Sequence, residues 1–317
     1  MIMQRSRFRI GLVVLTFSAG LVLSAQERLQ NTRPRITGIS HMAVYTSDPA
    51  AAEHFYADEL GASKEPDPEN PQGVVYRVSE QQFIEVLPLP AGHSISRMDH
   101  VAFETSDADA LHGYLVAHGY REVDAVKTGS DGSKWFFTRD PEGNRVQFYQ
   151  AAEHPFHASA ALVSPRIIHV GLLVKDRAKE DSFYRDLLGF RPYWYGGMHP
   201  GKTDWVSEEL PDGHDWIEYM LTGPGSDTPD ASKVDARQLG VMNHFSLGVP
   251  NMERAVTPLY VSNAIRFSPR HDGPQMGKDG KWQANLYDPD GTRVELMEFQ
   301  PVMKPCCSEF TAESPAD

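Results

Sequence analysis

Cysteine is nearly absent from this 317-residue chain, which holds only Cys306 and Cys307. Two neighbouring thiols cannot staple a fold, and a bond between them would close a strained ring. Stability must therefore come from packed apolar cores. A basic surplus is also missing: 30 Lys and Arg stand against 43 Asp and Glu, a formal charge of −13. So acidic a chain is a poor partner for nucleic acid or anionic lipid. There is no long apolar run either. The one candidate, Ile10 to Leu23, falls short of the about 20 residues that a membrane span needs. It follows Arg5, Arg7 and Arg9 and ends at Ser24-Ala25-Gln26. A basic start, a short apolar middle and small closing residues read as a secretory signal peptide over residues 1–25. This predicts an exported protein, periplasmic or secreted, with no membrane attachment after cleavage. The alternative is an uncleaved N-terminal anchor.

The remaining length suits about two domains, and internal repeats divide it. Ser40-His41-Met42-Ala43-Val44 leads through Asp48 to Phe55-Tyr56 and Leu60-Gly61. The same order returns at His169-Val170-Gly171, Asp176, Phe183-Tyr184 and Leu188-Gly189, with His, Phe-Tyr and Leu-Gly at a constant offset of 128. Asp before and Gly after each intervening segment predict a capped helix. Two further units open at Asp99-His100-Val101-Ala102 and Asn243-His244-Phe245-Ser246. They close on Asp140-Pro141-Glu142-Gly143 and Asp288-Pro289-Asp290-Gly291, with Lys134-Trp135 and Lys281-Trp282 before those turns. Asp, Pro and Gly there fit a type I turn. Each of the four units thus reads as a strand, a helix and two or three more strands. Residues 36–150 form a first domain and 166–300 a second, joined by the linker 151–165. The tail 301–317 carries no clear pattern and is expected to be disordered.

All four opening strands place a His on one face with a small residue two positions on: Ala43, Ala102, Gly171 and Ser246. The opposite face is apolar each time. A single strand His is more often a hydrogen-bonded core residue than a ligand. Four in one register beside small residues point instead to a lined cavity. The closing strands bring carboxylates into apolar surroundings at Glu85, Glu218 and Glu295, with Gln147 in the second unit. A buried carboxylate without a partner costs several kcal/mol, so a cation beside each is expected.

On these residues the chain resembles the vicinal oxygen chelate superfamily, which includes glyoxalase I, bleomycin-resistance proteins and extradiol dioxygenases. The resemblance runs from about Ile36 to Pro301. It implies an α+β fold of four βαβββ modules, paired into two curled, open mixed sheets of the kind that cups a divalent metal, with one divalent ion expected. Pairing of first with fourth and second with third remains an alternative. Carried over by position, the resemblance implies metal ligands His169, Glu218, His244 and Glu295, an order similar to bacterial glyoxalase I. The first pair offers His41, Glu85, His100 and Gln147 as a secondary or vestigial site. Two imidazoles and two carboxylates suit Zn, Ni, Co, Mn or Fe(II). The chemistry implied is lyase or isomerase chemistry on a small substrate that chelates the ion through adjacent oxygens, with Glu295 or Glu218 as the base.

The alternatives are Fe(II) extradiol ring cleavage and a non-catalytic binding or resistance protein. Against ring cleavage, Asn285 stands where the dioxygenase signature has Tyr, and Glu218 where it has a second-shell His; His214 or His271 would have to serve instead. Tyr193, Trp194, Tyr195, Trp205 and Trp216 in the third unit supply core aromatics, with some left to line a pocket.

Overall fold

A computed structural model describes residues 32–92, 97–152, 163–223, 226–227, 242–262 and 271–316. The expected signal segment, most of the linker with His154 and His157, and most of the loop 223–230 lie outside the described residues, as do the side chains of Asn243 and His271.

Module 1 comprises β1 (Ile36–Thr46), α1 (Pro49–Glu53, continuing as a π-helix over His54–Glu59), β2 (Ser63–Pro66), β3 (Val74–Arg77) and β4 (Phe83–Pro88). Module 2 comprises β5 (Met98–Thr105), α2 (Ala108–Ala117), β6 (Lys127–Thr128), β7 (Lys134–Arg139) and β8 (Arg145–Gln150). Module 3 repeats the first with β9 (Arg166–Val174), α3 (Arg177–Asp181, then π over Ser182–Leu187), β10 (Arg191–Gly196), β11 (Trp205–Glu209) and β12 (Trp216–Leu221). Module 4 has β13 (Met242–Val249), α4 (Met252–Val261), β14 (His271–Met276), β15 (Trp282–Tyr287) and β16 (Arg293–Glu298).

The helices begin where the sequence places them. Asp48, Asp107, Asp176 and Asn251 each accept a backbone N–H of the first turn. In α1 and α3 the bond widens to i→i+5, from Leu60 N to Phe55 O and from Leu188 N to Phe183 O, both 3.0 Å. The wider turn brings both members of each Phe-Tyr pair inward, and all four rings are buried. Gly61 and Gly189, at φ 75° and 81°, end these helices in a conformation that L side chains resist.

Two eight-stranded mixed sheets result, in the orders β2-β3-β4-β1-β5-β8-β7-β6 and β10-β11-β12-β9-β13-β16-β15-β14. Each opening strand lies parallel to the closing strand of its own module. Antiparallel pairs β1–β5 and β9–β13 join first to second and third to fourth. The expected α+β fold of paired βαβββ modules is thus present.

The alternative pairing exists as a packing contact. Tyr56 donates to Asp288 Oδ2 at 2.9 Å, and Tyr184 to Asp140 Oδ2 at 3.1 Å. Asp290 accepts from Thr46 Oγ1, Ser47 N and Ser47 Oγ at 2.6–2.9 Å. Reciprocally, Glu142 accepts from Lys175 N and Asp176 N at 2.8 and 2.7 Å. Each Asp-Pro-X-Gly turn therefore holds the helix entry of the other domain. One apolar cluster carries residues of both halves, including Tyr56, Phe103, Phe190 and Leu296.

One expectation is corrected. The tail is not disordered: Thr311 N donates to Tyr193 O at 3.0 Å, Tyr193 Oη and Ser314 Oγ lie 2.6 Å apart, and the Phe310 ring sits 4.9 Å from that of Tyr193. A chain without periodicity still docks when a few apolar groups find a cluster that needs a cover. The two Lys-Trp pairs, in turn, are not structural equivalents. Trp135 precedes Asp140 by five residues and Trp282 precedes Asp288 by six. Sides alternate along a strand, so that one residue reverses the facing. Trp135 is buried beside Phe83 and Tyr149, whereas Trp282 is 37% exposed and Lys281 turns inward.

The Tyr56→Phe substitution leaves Asp288 Oδ2 without that donor. It is expected to destabilise the chain by about 1–3 kcal/mol, read as a lower urea midpoint at unchanged slope.

Candidate metal centre

Register brings the second-domain site together. On β9 and β13, His169 pairs with Ser246 and His244 with Gly171. From the flanking strands, Glu218 pairs with Gly171 and Glu295 with Ser246. Each small residue thus lies opposite one His and one Glu, and the four larger side chains share the space that it leaves. A Cβ on Gly171 would stand 2.1 Å from His244 Cε1 and 2.3 Å from Nδ1. Glycine there lets the imidazole lie across β9.

The resulting distances are short. His169 Nε2 and His244 Nε2 are 3.0 Å apart. Glu295 Oε2 lies 3.2 Å from the first and 3.7 Å from the second. Glu218 Oε2 lies 3.8 Å from His244 Nε2. All four predicted residues converge. Facing imidazole nitrogens share at most one hydrogen between them; when neither holds it, both lone pairs and the carboxylate oxygens face a common space. A divalent cation fits such a donor set.

Electrostatics agree. Burial holds His169 below its ordinary value, and burial with Arg293 and His169 holds His244 well below. Both imidazoles are then neutral near pH 7, the form that binds metal. Burial, followed by the charge of Glu295, pushes Glu218 up to about 8. Burial also acts upward on Glu295, but the hydrogen bond and charge of His169, with Arg293, outweigh it and hold this carboxyl below its usual range. Glu218, His244, Arg293 and Glu295 open onto a cavity of about 390 Å³, whose walls include Trp194 and Trp205. The hairpin residues Met276 to Asp279 also line it. Tyr193 and Trp216 instead enclose Lys281, whose Nζ stands 5.8 and 4.8 Å from their ring centres.

Arg293 was not singled out from the sequence, although Arg145 and Arg293 recur at one place after the two turns. Its Nη2 meets His244 Nδ1. A guanidinium can only donate, so a cation on Nε2 of neutral His244 requires Arg293 to swing away and Nδ1 to carry the proton. His214 is engaged by Glu209 at 3.0 Å.

The first domain repeats the arrangement with different parts. His41 Nε2 and His100 Nε2 are 3.3 Å apart, with Glu85 Oε2 3.7 Å from the latter. Burial lowers both imidazoles and pushes Glu85 up to about 10. Gln147 turns its amide N–H to Glu69 Oε2, and Glu69 Oε1 reaches within 3.8 Å of His41 Nε2. Glu69 gave no sequence signal, since Asp67-Pro68-Glu69-Asn70 reads as an ordinary polar turn.

Gly171→Ala is expected to displace the His244 ring. Zn²⁺ affinity of the second-domain cluster should fall at least about tenfold, read by isothermal titration of the metal-free protein, with about 1–3 kcal/mol of stability lost to overpacking.

Comparison with known proteins agrees with this architecture. A search of curated proteins gave no significant match. Among solved structures, homoprotocatechuate 2,3-dioxygenase from Brevibacterium fuscum, in an anaerobic complex with 3,4-dihydroxyphenylacetate, is similar with a TM-score of 0.60 at 16% identity, over 89% of this chain and 84% of that one. The Arthrobacter globiformis homoprotocatechuate 2,3-dioxygenase gives 0.62 at 18% identity, over 84% and 80%. A catechol 2,3-dioxygenase gives 0.61 at 15%, over 89% and 96%. At such identities the likeness is one of fold. The sequence profile of one family matches residues 38–148 and again 166–296, the two halves that the sheets define. With both halves matched, the chain belongs to the Glyoxalase/Bleomycin resistance protein/Dioxygenase superfamily.

Proposed function

We propose that the second domain is the catalytic half of a metal-dependent enzyme that moves a proton within a small substrate held through two adjacent oxygens. The observation that carries this reading is the position of Glu218. It stands across from the tight group of His169, His244 and Glu295, with its side chain 17% exposed while theirs are 1%, 1% and 6%. A carboxylate on the cavity wall, within reach of the cluster but outside its tightest part, is placed to exchange a proton with a bound molecule.

A divalent ion on His169, His244 and Glu295 (Zn, Ni, Co, Mn or Fe(II)) would supply Lewis-acid polarisation of two substrate oxygens when bound. Glu218, ionised above its raised value of about 8 or at lower pH by the charge of a bound cation, takes a proton from one carbon and returns it to the next. Arg293, released from His244 Nδ1 when the ion binds, is free to place its positive charge beside the oxygens on which negative charge develops. Trp194 and Trp205, with Met198 and Met220, form an apolar wall. That wall suits a flat or apolar substrate body and keeps water from the path of the proton.

Ring cleavage is the second reading. It is supported by the closeness of the two-His, one-carboxylate group, a set that leaves positions open for catechol and O2. The fold likeness to extradiol dioxygenases adds to it. Export through residues 1–25 belongs to either reading, and N-terminal sequencing of the protein recovered outside the cytoplasm checks it.

The deciding experiment assays the metal-loaded protein on hemithioacetals and catechols. Isomerisation with Ni²⁺ or Zn²⁺ is expected, and Glu218→Gln should lower turnover by roughly 10²- to 10⁴-fold at unchanged metal content. Oxygen uptake with Fe²⁺ would select ring cleavage. Tight ligand binding without turnover would select a resistance-type binding protein.

A further inference from the structure

The C-terminal segment spans the second sheet from edge to edge. β10 and β14 are the outer strands of that sheet. Beside β14, Val302 N and Met303 N donate to Gly280 O at 2.9 and 3.1 Å, and Cys306 N donates to Lys278 O at 2.8 Å. On β10, Ser308 Oγ accepts from Tyr195 N at 3.0 Å and donates to Tyr195 O at 3.2 Å. The Trp194 indole N–H donates to Cys306 O at 3.3 Å. Trp194 and Lys278 both line the cavity beside the His169 cluster. Cys306 thus ties two of its walls together: the amide holds the hairpin, and the carbonyl holds the indole.

The residue that makes this tie has a second thiol next to it. Cys306 and Cys307 are the only cysteines of the chain, and their side chains are in hydrogen-bond contact. Cys307 is exposed, whereas Cys306 is half-buried against the cluster that contains Trp194 and Trp216. Among the described residues Cys307 is also the only non-glycine residue with a positive φ, at 74°. An L side chain is disfavoured there, and such a conformation persists only where its surroundings impose it. Here the bonds of Cys306 to Lys278, Trp194 and Ser308 N impose it. Because the thiols already meet, joining them needs a change in the peptide between them and no long approach.

We infer that Cys306 and Cys307 form a redox modification site, closing reversibly to a disulfide whose ring takes in the Cys306 carbonyl and so releases Trp194 from the cavity wall. The small ring contains the carbonyl carbon of Cys306 and the nitrogen of Cys307. Their peptide is trans in this structure, and a planar trans peptide does not fit so small a ring undistorted. Closure therefore turns the Cys306 carbonyl away from the indole. The oxidant is a low-molecular-weight disulfide. Cys307, the exposed thiol, attacks it as a thiolate and releases one half as a thiol. Burial, then contact with Cys307, holds the Cys306 thiol above its ordinary value, which makes it the second to react. It gives up its proton and displaces the other half. Two thiol hydrogens and two electrons pass to the small disulfide, which leaves as two thiols. Ring strain keeps the new bond easy to reduce, so the step runs in both directions. This inference does not rest on the proposed activity, since it concerns a wall of the cavity and not the chemistry within.

The test equilibrates the full chain in mixtures of reduced and oxidised glutathione, followed by acid quenching, alkylation and mass analysis. The peptide that holds Cys306 and Cys307 is expected to lose two hydrogens and to regain them with dithiothreitol. Hydrogen exchange then reads the consequence. Amides within 276–282 and 302–311 should exchange at least about tenfold faster in the oxidised chain, while those of α2 and β9 keep their rates. Cys306→Ser with Cys307→Ser should remove the difference between buffers. Mixed glutathione disulfides alone, or links between chains, would overturn the site. Closure with unchanged exchange in both segments would overturn its hold on the wall. Faster exchange throughout the chain would do the same, since it reports general unfolding. A difference that persists in the double variant overturns the assignment to these cysteines.

Discussion

The convergence of lone pairs between two antiparallel strands is the constraint around which this chain is arranged. His169 and His244 bring ring nitrogens within 3.0 Å, and His41 and His100 within 3.3 Å. Such a meeting is tolerable only if something positive lies between the rings, or if their protons are apportioned so that one donates. The central strand pair of each sheet imposes the meeting. Antiparallel register sets each His against a small residue, and parallel closing strands bring the third and fourth donors to the same level. The rest of each module supports that geometry. Capped helices return the chain, and apolar faces opposite the histidines fill the shared core.

Much of this was legible because it depends on period-two alternation, which sequence records directly. The four histidine strands, the helix caps and the Asp-Pro-X-Gly turns all follow from local rules. The chief donors of both clusters follow from position along those strands. What escaped notice depends on tertiary approach. Glu69 lies in a turn with no periodicity, and only the folded sheet shows that the turn bends inward. Arg293 recurs visibly, but its partner is chosen by what stands opposite: Asp99 draws Arg145 away from His100, whereas Arg293 reaches His244 itself. The tail looked featureless because Phe310 has meaning only beside Tyr193 and Lys281. Lys281-Trp282 and Lys134-Trp135 share a dipeptide but not a facing, because one extra residue separates Trp282 from its turn.

The two halves therefore share a scaffold and differ in chemistry. Gly171 admits a ring across its strand where Ala43 carries a Cβ. Glu295 offers a charge where Gln147 offers an amide. Aromatic contacts differ as well: His41 stacks on Phe83 at 4.2 Å, and His169 on Trp216 at 4.8 Å. The parts that set register recur in both halves, and the side chains that face the two clusters differ.

The reciprocal hold of each turn on the opposite helix entry limits how independent the halves can be. Asp290 completes a helix start in module 1, and Glu142 one in module 3, so neither half contains all the partners of its own backbone. The pair should melt as a single cooperative unit. A recombinant half would be left with open N–H groups and an uncovered apolar face, and modular swapping of one half between relatives would have to carry the matching turn with it.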